Sequence, residues 1–141
     1  MPAFTDCRGL RRIQLPESII TMPNNAFKGC YSLFKVNIPN KVTAIPESAF
    51  QTCNCLATLK FPAGIKSIGI NAFYTTPSMK LFDFSACTQI PTLANTNAFS
   101  GSLKNGCKIR VPAALYDEWK TATNWVTYAS YIEAAEEEVD A

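Results

Sequence analysis

The sequence predicts a β-rich solenoid, a coil of short stacked units closed by a small helical cap, and three observations carry that prediction. Ala-Phe recurs at Ala3-Phe4, Ala26-Phe27, Ala49-Phe50, Ala72-Phe73 and Ala98-Phe99, at spacings of 23, 23, 23 and then 26 residues. Within each unit the apolar residues alternate with period two and stop at a proline, as in Ile13-x-Leu15-Pro16, Val36-x-Ile38-Pro39 and Leu59-x-Phe61-Pro62. After Pro112 the 23-residue period vanishes and helical spacing replaces it.

A 23-residue unit cannot bury its own apolar face, so equivalent side chains must stack on those of its neighbours as ladders through one interior. The predicted core columns are Phe4, Phe27, Phe50, Phe73 and Phe99; Cys7, Cys30 and Cys53; and Leu10, Leu33 and Leu56. The first strand of each unit is the alternation before the proline. A second extended stretch is expected at Ile19–Met22, Val42–Ile45 and Ile65–Ile68, and a single helical or 3₁₀ turn from Asn25 to Cys30. Thr76 stands at the Cys position of the fourth unit and Met79 at its Leu position, and a three-residue insertion separates Phe84 from Ala98, so this unit is expected to be irregular.

Beyond Pro112, Leu115, Trp119 and Ala122, then Trp125, Ala129 and Ile132, recur at i, i+4, i+7. This predicts two short helices whose Trp119 and Trp125 rings seal the ladders against water. The expected organisation is therefore a solenoid over residues 1–112, a helical cap over 113–132 and a solvated acidic tail over 133–141.

The columns Ala-Phe-x-x-Cys-x-x-Leu-x-x-Ile-x-Ile-Pro-x-x-Val-x-x-Ile resemble the BspA-like leucine-rich repeats, a bacterial and protist family found mostly on surface proteins. The stretch from Asp83 to Phe99, and Cys107-Lys108-Ile109-Arg110-Val111-Pro112 with Trp119 and Trp125, resemble the last repeat and C-terminal cap of such proteins from gut bacteria and their phages. The resemblance implies a leucine-rich repeat right-handed coil. It also implies adhesion and recognition of a host or matrix, with placement on a bacterial surface, outside the cell or on a virion.

Composition narrows the chemistry. The chain of 141 residues contains no histidine, which removes histidine acid–base catalysis, Ser-His-Asp and Cys-His nucleophiles, and histidine-containing metal sites. No carboxylate pair or glycine-rich phosphate loop is placed for catalysis, so no enzyme activity and no cofactor are expected. The six cysteines read as buried small hydrophobes rather than bridges or zinc ligands, because Cys7, Cys30 and Cys53 share one column and stacked side chains point in parallel. Cys55 is expected to face outward.

Charge is divided along the chain. Residues 1–112 hold twelve Lys/Arg against four acids, net +8, while residues 113–141 hold Lys120 against seven acids, net −6. The outward positions beside the strand alternation are Arg12 and Gln14, Lys35 and Asn37, Thr58 and Lys60, Leu81 and Asp83, and Lys108 and Arg110. Arg12, Lys35, Asn37, Lys60, Lys108 and Arg110 are the candidate ligand contacts, opposed by Asp83 alone, and the expected partner is a protein or an anionic glycan. The same cations would also serve merely to guard a solvated sheet against edge pairing. Nucleic acid is disfavoured because no aromatic side chains are expected on this face.

Two rival functions stand beside adhesion: a structural spacer or cap in a larger surface or virion assembly, and an intracellular binder of anionic partners. No apolar run approaches the roughly 20 residues of a spanning helix, so membrane insertion is not expected. The sequence from Met1 to Thr5 has neither a basic region nor an apolar stretch of a secretion signal, which leaves a cytoplasmic placement open. Finally, Phe4, Leu10, Ile13 and Leu15 form an uncapped apolar end, so either the chain continues upstream or two copies self-associate there.

Overall fold

A computed structural model of the chain describes residues 4–104 and 106–136. Among the described residues nine short strands run in parallel ladders: β1 (Arg12–Ile13), β2 (Lys35–Val36), β3 (Ala44–Ile45), β4 (Thr58–Lys60), β5 (Ser67–Ile68), β6 (Leu81–Asp83), β7 (Thr92–Leu93), β8 (Lys108–Val111) and β9 (Ile132–Ala134). One flank of the stack carries β1-β2 and then β4-β6-β8-β9; the other carries β3-β5-β7. The register is the repeat itself, since Arg12 lies opposite Lys35, Ile45 opposite Ile68 and Leu59 opposite Phe82. The chain is thus a β-rich solenoid of stacked units.

Its interior is a column of rings. Phe4, Phe27, Phe50, Phe73 and Phe99 stack with centroids 5.3, 5.4, 5.3 and 5.5 Å apart and nearly parallel planes. Each phenylalanine is delivered by a tight turn closed by i→i+3 bonds, such as Lys28 N–H to Asn25 and Cys30 N–H to Phe27. Successive turns are joined backbone to backbone: the Phe4, Phe27 and Phe50 amides donate to Ala26, Ala49 and Ala72. Two positions per turn adopt left-handed backbone conformations, one filled by Asn25, Ser48 and Asn71, the other by Asp6, Gly29, Thr52, Thr75 and Gly101. These columns are polar or glycine because bulky apolar residues are costly at φ near +60°.

The expected core holds from Phe27 onward, where every named Phe, Cys and Leu column residue is buried. Phe4, Cys7 and Leu10 differ: they pack on the core yet remain half-buried, because they form the end of the stack. The stretch Ile19–Met22 also lies in no strand, although its equivalents Ala44–Ile45 and Ser67–Ile68 do.

The cap is less helical than the spacing predicts. A 3₁₀ turn (Ala113–Leu115) leads into helix α1 (Tyr116–Thr121), and Trp125–Tyr131 is a kinked 3₁₀ segment. Both tryptophans are fully buried, Trp119 against Phe84 and Trp125 against Phe84 and Phe99. The cap also replaces the missing next repeat chemically. Trp125 Nε1 donates to Pro91 (2.7 Å), Asn124 Nδ2 to Leu93 (2.7 Å) and the Tyr128 hydroxyl to Thr96, which satisfies carbonyls around the edge strand β7.

One boundary is corrected. The acidic stretch expected to be solvated from residue 133 begins instead as β9, which extends the sheet by pairing Ile109 with Ile132 and Arg110 with Glu133. Ile132, expected on a helix, is the buried first residue of that strand. Only residues 133–136 of the stretch are described; residues 137–141, and Ala3 of the first Ala-Phe, lie outside the described residues.

Candidate functional site: the outer strand face

Strand pairing turns the outward residues into two rows. One runs Arg12, Lys35, then Thr58, Leu81 and Lys108; the other includes Lys60, Asp83, Arg110 and Glu133. Neighbours in a row sit one strand spacing apart, about 5 Å, so the sign of each charge matters to the next. Arg12, Lys35, Lys60 and Lys108 are exposed; Asn37 and Arg110 are half-buried.

The rows are not uniformly basic. Asp83 lies between Lys60 and Arg110, and the Arg110 Nε donates to Glu133 Oε2 at 2.8 Å. Asp83 is therefore not the lone acid of this face; Glu133 was missed because the tail was expected to leave the sheet. Leu81 separates Thr58 from Lys108 in the other row. Asn37 is engaged by the fold: its Nδ2 donates to the Leu15 carbonyl (3.0 Å) and its Oδ1 accepts from the Leu15 amide (2.6 Å). The concentrated positive charge is thus Arg12, Lys35 and Lys60, in the first three units.

The same region is concave. No ladder and no backbone hydrogen bond joins β2 to β4 among the described residues, although both belong to the same flank. Over this break lies an open groove of about 560 Å³ lined by Phe34, Lys35, Asn37, Thr58, Lys60 and Ala63, among others. A smaller depression of about 290 Å³ continues it toward Arg12 and Gln14. Phe34 is 48% exposed at the groove margin, and nearby in sequence Tyr31 lies under the Arg8 guanidinium, 5.0 Å from the ring centroid. Sequence reasoning missed both aromatics. The available signal was a break in pattern: Phe34 occupies the column of Arg11 and Ala57, where no core residue is required.

Reactive chemistry is muted. Burial pushes the Cys30, Cys87 and Cys107 thiols up to about 11 and Cys53 further still, so none is a thiolate near neutrality. Cys55 is exposed. Among the described residues no three Cys, Asp or Glu side chains gather into a metal-binding group, and no helix is long and apolar enough to cross a membrane.

Comparison with known proteins places this geometry in a family. The model of the BspA type leucine rich repeat region matches residues 1–105 in six copies, where the Ala-Phe column marks five. Among solved structures, the leucine-rich repeat protein of T. pallidum is similar at 26% identity and a TM-score of 0.65, covering 79% of this chain and 50% of its own. A leucine-rich repeat protein from Bacteroides ovatus shares the fold at 23% identity and a TM-score of 0.54, covering 79% of this chain and 34% of its own. The chain therefore spans about half and about a third of the length of these two. No curated protein matches. Leucine-rich repeat modules of this kind typically bind proteins and carry no catalysis, and the BspA type is often found on bacterial surfaces. With three quarters of its length matched and its strands stacked at the family's period, the chain belongs to the BspA type leucine-rich repeats.

Proposed function

We propose that this chain is a non-catalytic recognition module that offers the outer face of β1, β2 and β4 to a protein or anionic glycan partner at a bacterial surface or on a virion. One observation carries the reading: the groove, the break in the strand ladder and the exposed cations Arg12, Lys35 and Lys60 coincide, whereas Arg110 farther along the face is already bonded to Glu133. A module serving only as a spacer has no need of a concave patch of exposed cations at one end.

The test compares two variants of equal charge. Lys35→Glu with Lys60→Glu alters the face; Lys28→Glu with Lys41→Glu alters turns away from it. On arrays of immobilised bacterial and host surface proteins and of sulfated and neutral glycans, the first pair abolishes the bound signals and the second leaves most of them. Equal losses, or none, return the cations to a solubilising role. Binding to duplex DNA that outcompetes every array ligand and weakens steeply with salt would favour the intracellular reading instead.

A further inference from the structure

The groove between β2 and β4 has more character than a basic patch, and its character selects among anions. Its cations are few and local: Lys35 and Lys60 flank it and Arg12 lies one strand away. Beyond them the row continues with Asp83, then with Arg110 already bonded to Glu133. A long polyanion laid across the strands would thus meet a carboxylate within one or two strand spacings, about 5–10 Å, of Lys60. Glu17 adds a further carboxylate at the groove wall, held by the Asn40 amide at 3.0 Å. The lining also holds apolar surface at both ends of this run: the exposed Phe34 ring lies just before Lys35, and Pro62 and Ala63 lie just after Lys60. An exposed ring beside Lys35, with Lys60 farther along the same groove, fits an apolar side chain with carboxylates next to it.

We propose that the groove binds a short acidic peptide segment with one large apolar side chain, the apolar group seated against Phe34 and its neighbouring carboxylates on Lys35 and Lys60. This rests on the reading of the strand face as a binding surface and narrows its partner to a protein. The energetic logic is division of labour. Exposed ion pairs contribute little each, whereas covering Phe34 and a partner side chain removes apolar surface from water. The lysines then set which apolar side chains enter, by requiring acids beside them.

The experiment uses the 141-residue chain and four fluorescent probes followed by anisotropy. They are a peptide Gly-Asp-Glu-Phe-Glu-Asp-Gly, the same peptide with Ser for Phe, the same with Asn and Gln for its acids, and a heparin tetrasaccharide. The first probe is expected to bind and the other three to bind about tenfold more weakly or worse. Phe34→Ser is expected to weaken the first probe about tenfold and to leave its Ser version unchanged, and Lys35→Glu with Lys60→Glu to weaken both. All three substituted side chains are exposed, so circular dichroism melts should match those of the parent chain.

Equal binding of heparin and the Phe peptide, or indifference to Phe34→Ser while the lysine pair still matters, overturns the peptide site yet leaves the strand face as a binding surface. Equal loss from Lys28→Glu with Lys41→Glu overturns that broader reading as well. No binding of the Phe peptide at about 1 mM, an affinity of only about 4 kcal/mol, overturns the peptide site.

Discussion

The Cys53 thiol donates to the main-chain carbonyl of Phe27, 3.2 Å away, and so ties its turn to the one before it. Cys30 makes the same contact with Phe4 at 2.9 Å. Further along, Ser102 takes the position and donates to Phe73 at 2.6 Å, while Thr76 bonds the Ser102 hydroxyl. Cys30, Cys53 and Ser102 thus each donate to a phenylalanine carbonyl one turn back, and Thr76 donates to Ser102 instead. Alkylation of the native chain at neutral pH is therefore expected to modify Cys55 first and half-buried Cys7 more slowly, with the other four reacting only in denaturant. A disulfide between Cys7 and Cys30 or between Cys30 and Cys53, seen by mass before reduction, would refute the arrangement.

Alkaline stability follows from the same burial. Cys30, Cys87 and Cys107 have folded-state pKa values raised from 9.0 to about 11 by desolvation. The neutral thiol is favoured by the fold, so this stabilisation is complete below about pH 9 and is lost as pH rises through about 11. Urea midpoints measured from pH 7.5 to 11 should fall most steeply above pH 9. A profile as flat there as for a variant with these three thiols and the buried Cys53 replaced by alanine would count against burial as the cause.

The two buried tryptophans should answer differently to the same substitution. Trp125 Nε1 donates to Pro91, whereas Trp119 Nε1 is buried with no partner among the described residues. Trp125→Phe leaves a buried carbonyl short of its donor and should cost about 1–3 kcal/mol more than Trp119→Phe, which removes an unmatched N–H. Chemical denaturation of the two variants decides it; the reverse order would mean that the Trp119 N–H is satisfied.

Thr52 holds φ = 61° in the column that Gly29 and Gly101 also occupy. A β-branched residue is strained there, so Thr52→Gly should stabilise the chain by about 0.5–1 kcal/mol despite the extra freedom of the unfolded state. Gly29→Thr should do the opposite and by more, because a Cβ at that position runs into the Asp6 carboxyl group. Thermal melts of the pair test the sign.

At the open end Phe4, Leu10, Ile13 and Met22 are half-buried, and a small apolar cleft lies between Phe4, Leu15, Ile19 and Met22. Sedimentation of the 141-residue chain should show concentration-dependent self-association that Ile13→Glu suppresses. A monomer at every concentration, with or without the charge, would show that this end needs no cover.

Most of the solenoid could be read from the chain because its determinants are local and repeated. Ala26-Phe27, Cys30 and Leu33 recur in step, and a column of identical side chains has few alternative arrangements. Their burial needed only the period. The groove was not legible in the same way: it arises where two strands with ordinary sequences fail to pair, and nothing in Lys35-Val36 or Thr58-Leu59-Lys60 announces that. Its aromatic, Phe34, is visible only as an exception to its column. Glu133 illustrates the remaining limit, since a glutamate after a cap segment reads as solvent-exposed until the ladder shows it lying beside Arg110. Helical spacing around Trp125 was a similar half-signal, placing the rings correctly while overstating the helix.

The turn-to-turn bonds carry a directional consequence. From Phe4 to Thr75, each joining turn amide donates toward the next unit, as in Phe4 to Ala26, Gly29 to Gln51, Thr52 to Tyr74 and Thr75 to Ser100. Aligned peptide dipoles add, so this edge of the coil has an electronegative end at the first turn and an electropositive end at the cap, the reverse of an α-helix read in the same direction. The excess of Lys and Arg in the solenoid, and Asp117, Glu118 and Glu133 near the other end, have signs that oppose that polarity. It also sets a rule for stacking: two first turns brought face to face would set carbonyl against carbonyl, whereas a last turn supplies the N–H groups a first turn lacks. Growth of such a coil is polar, like that of any filament whose two ends are chemically unlike.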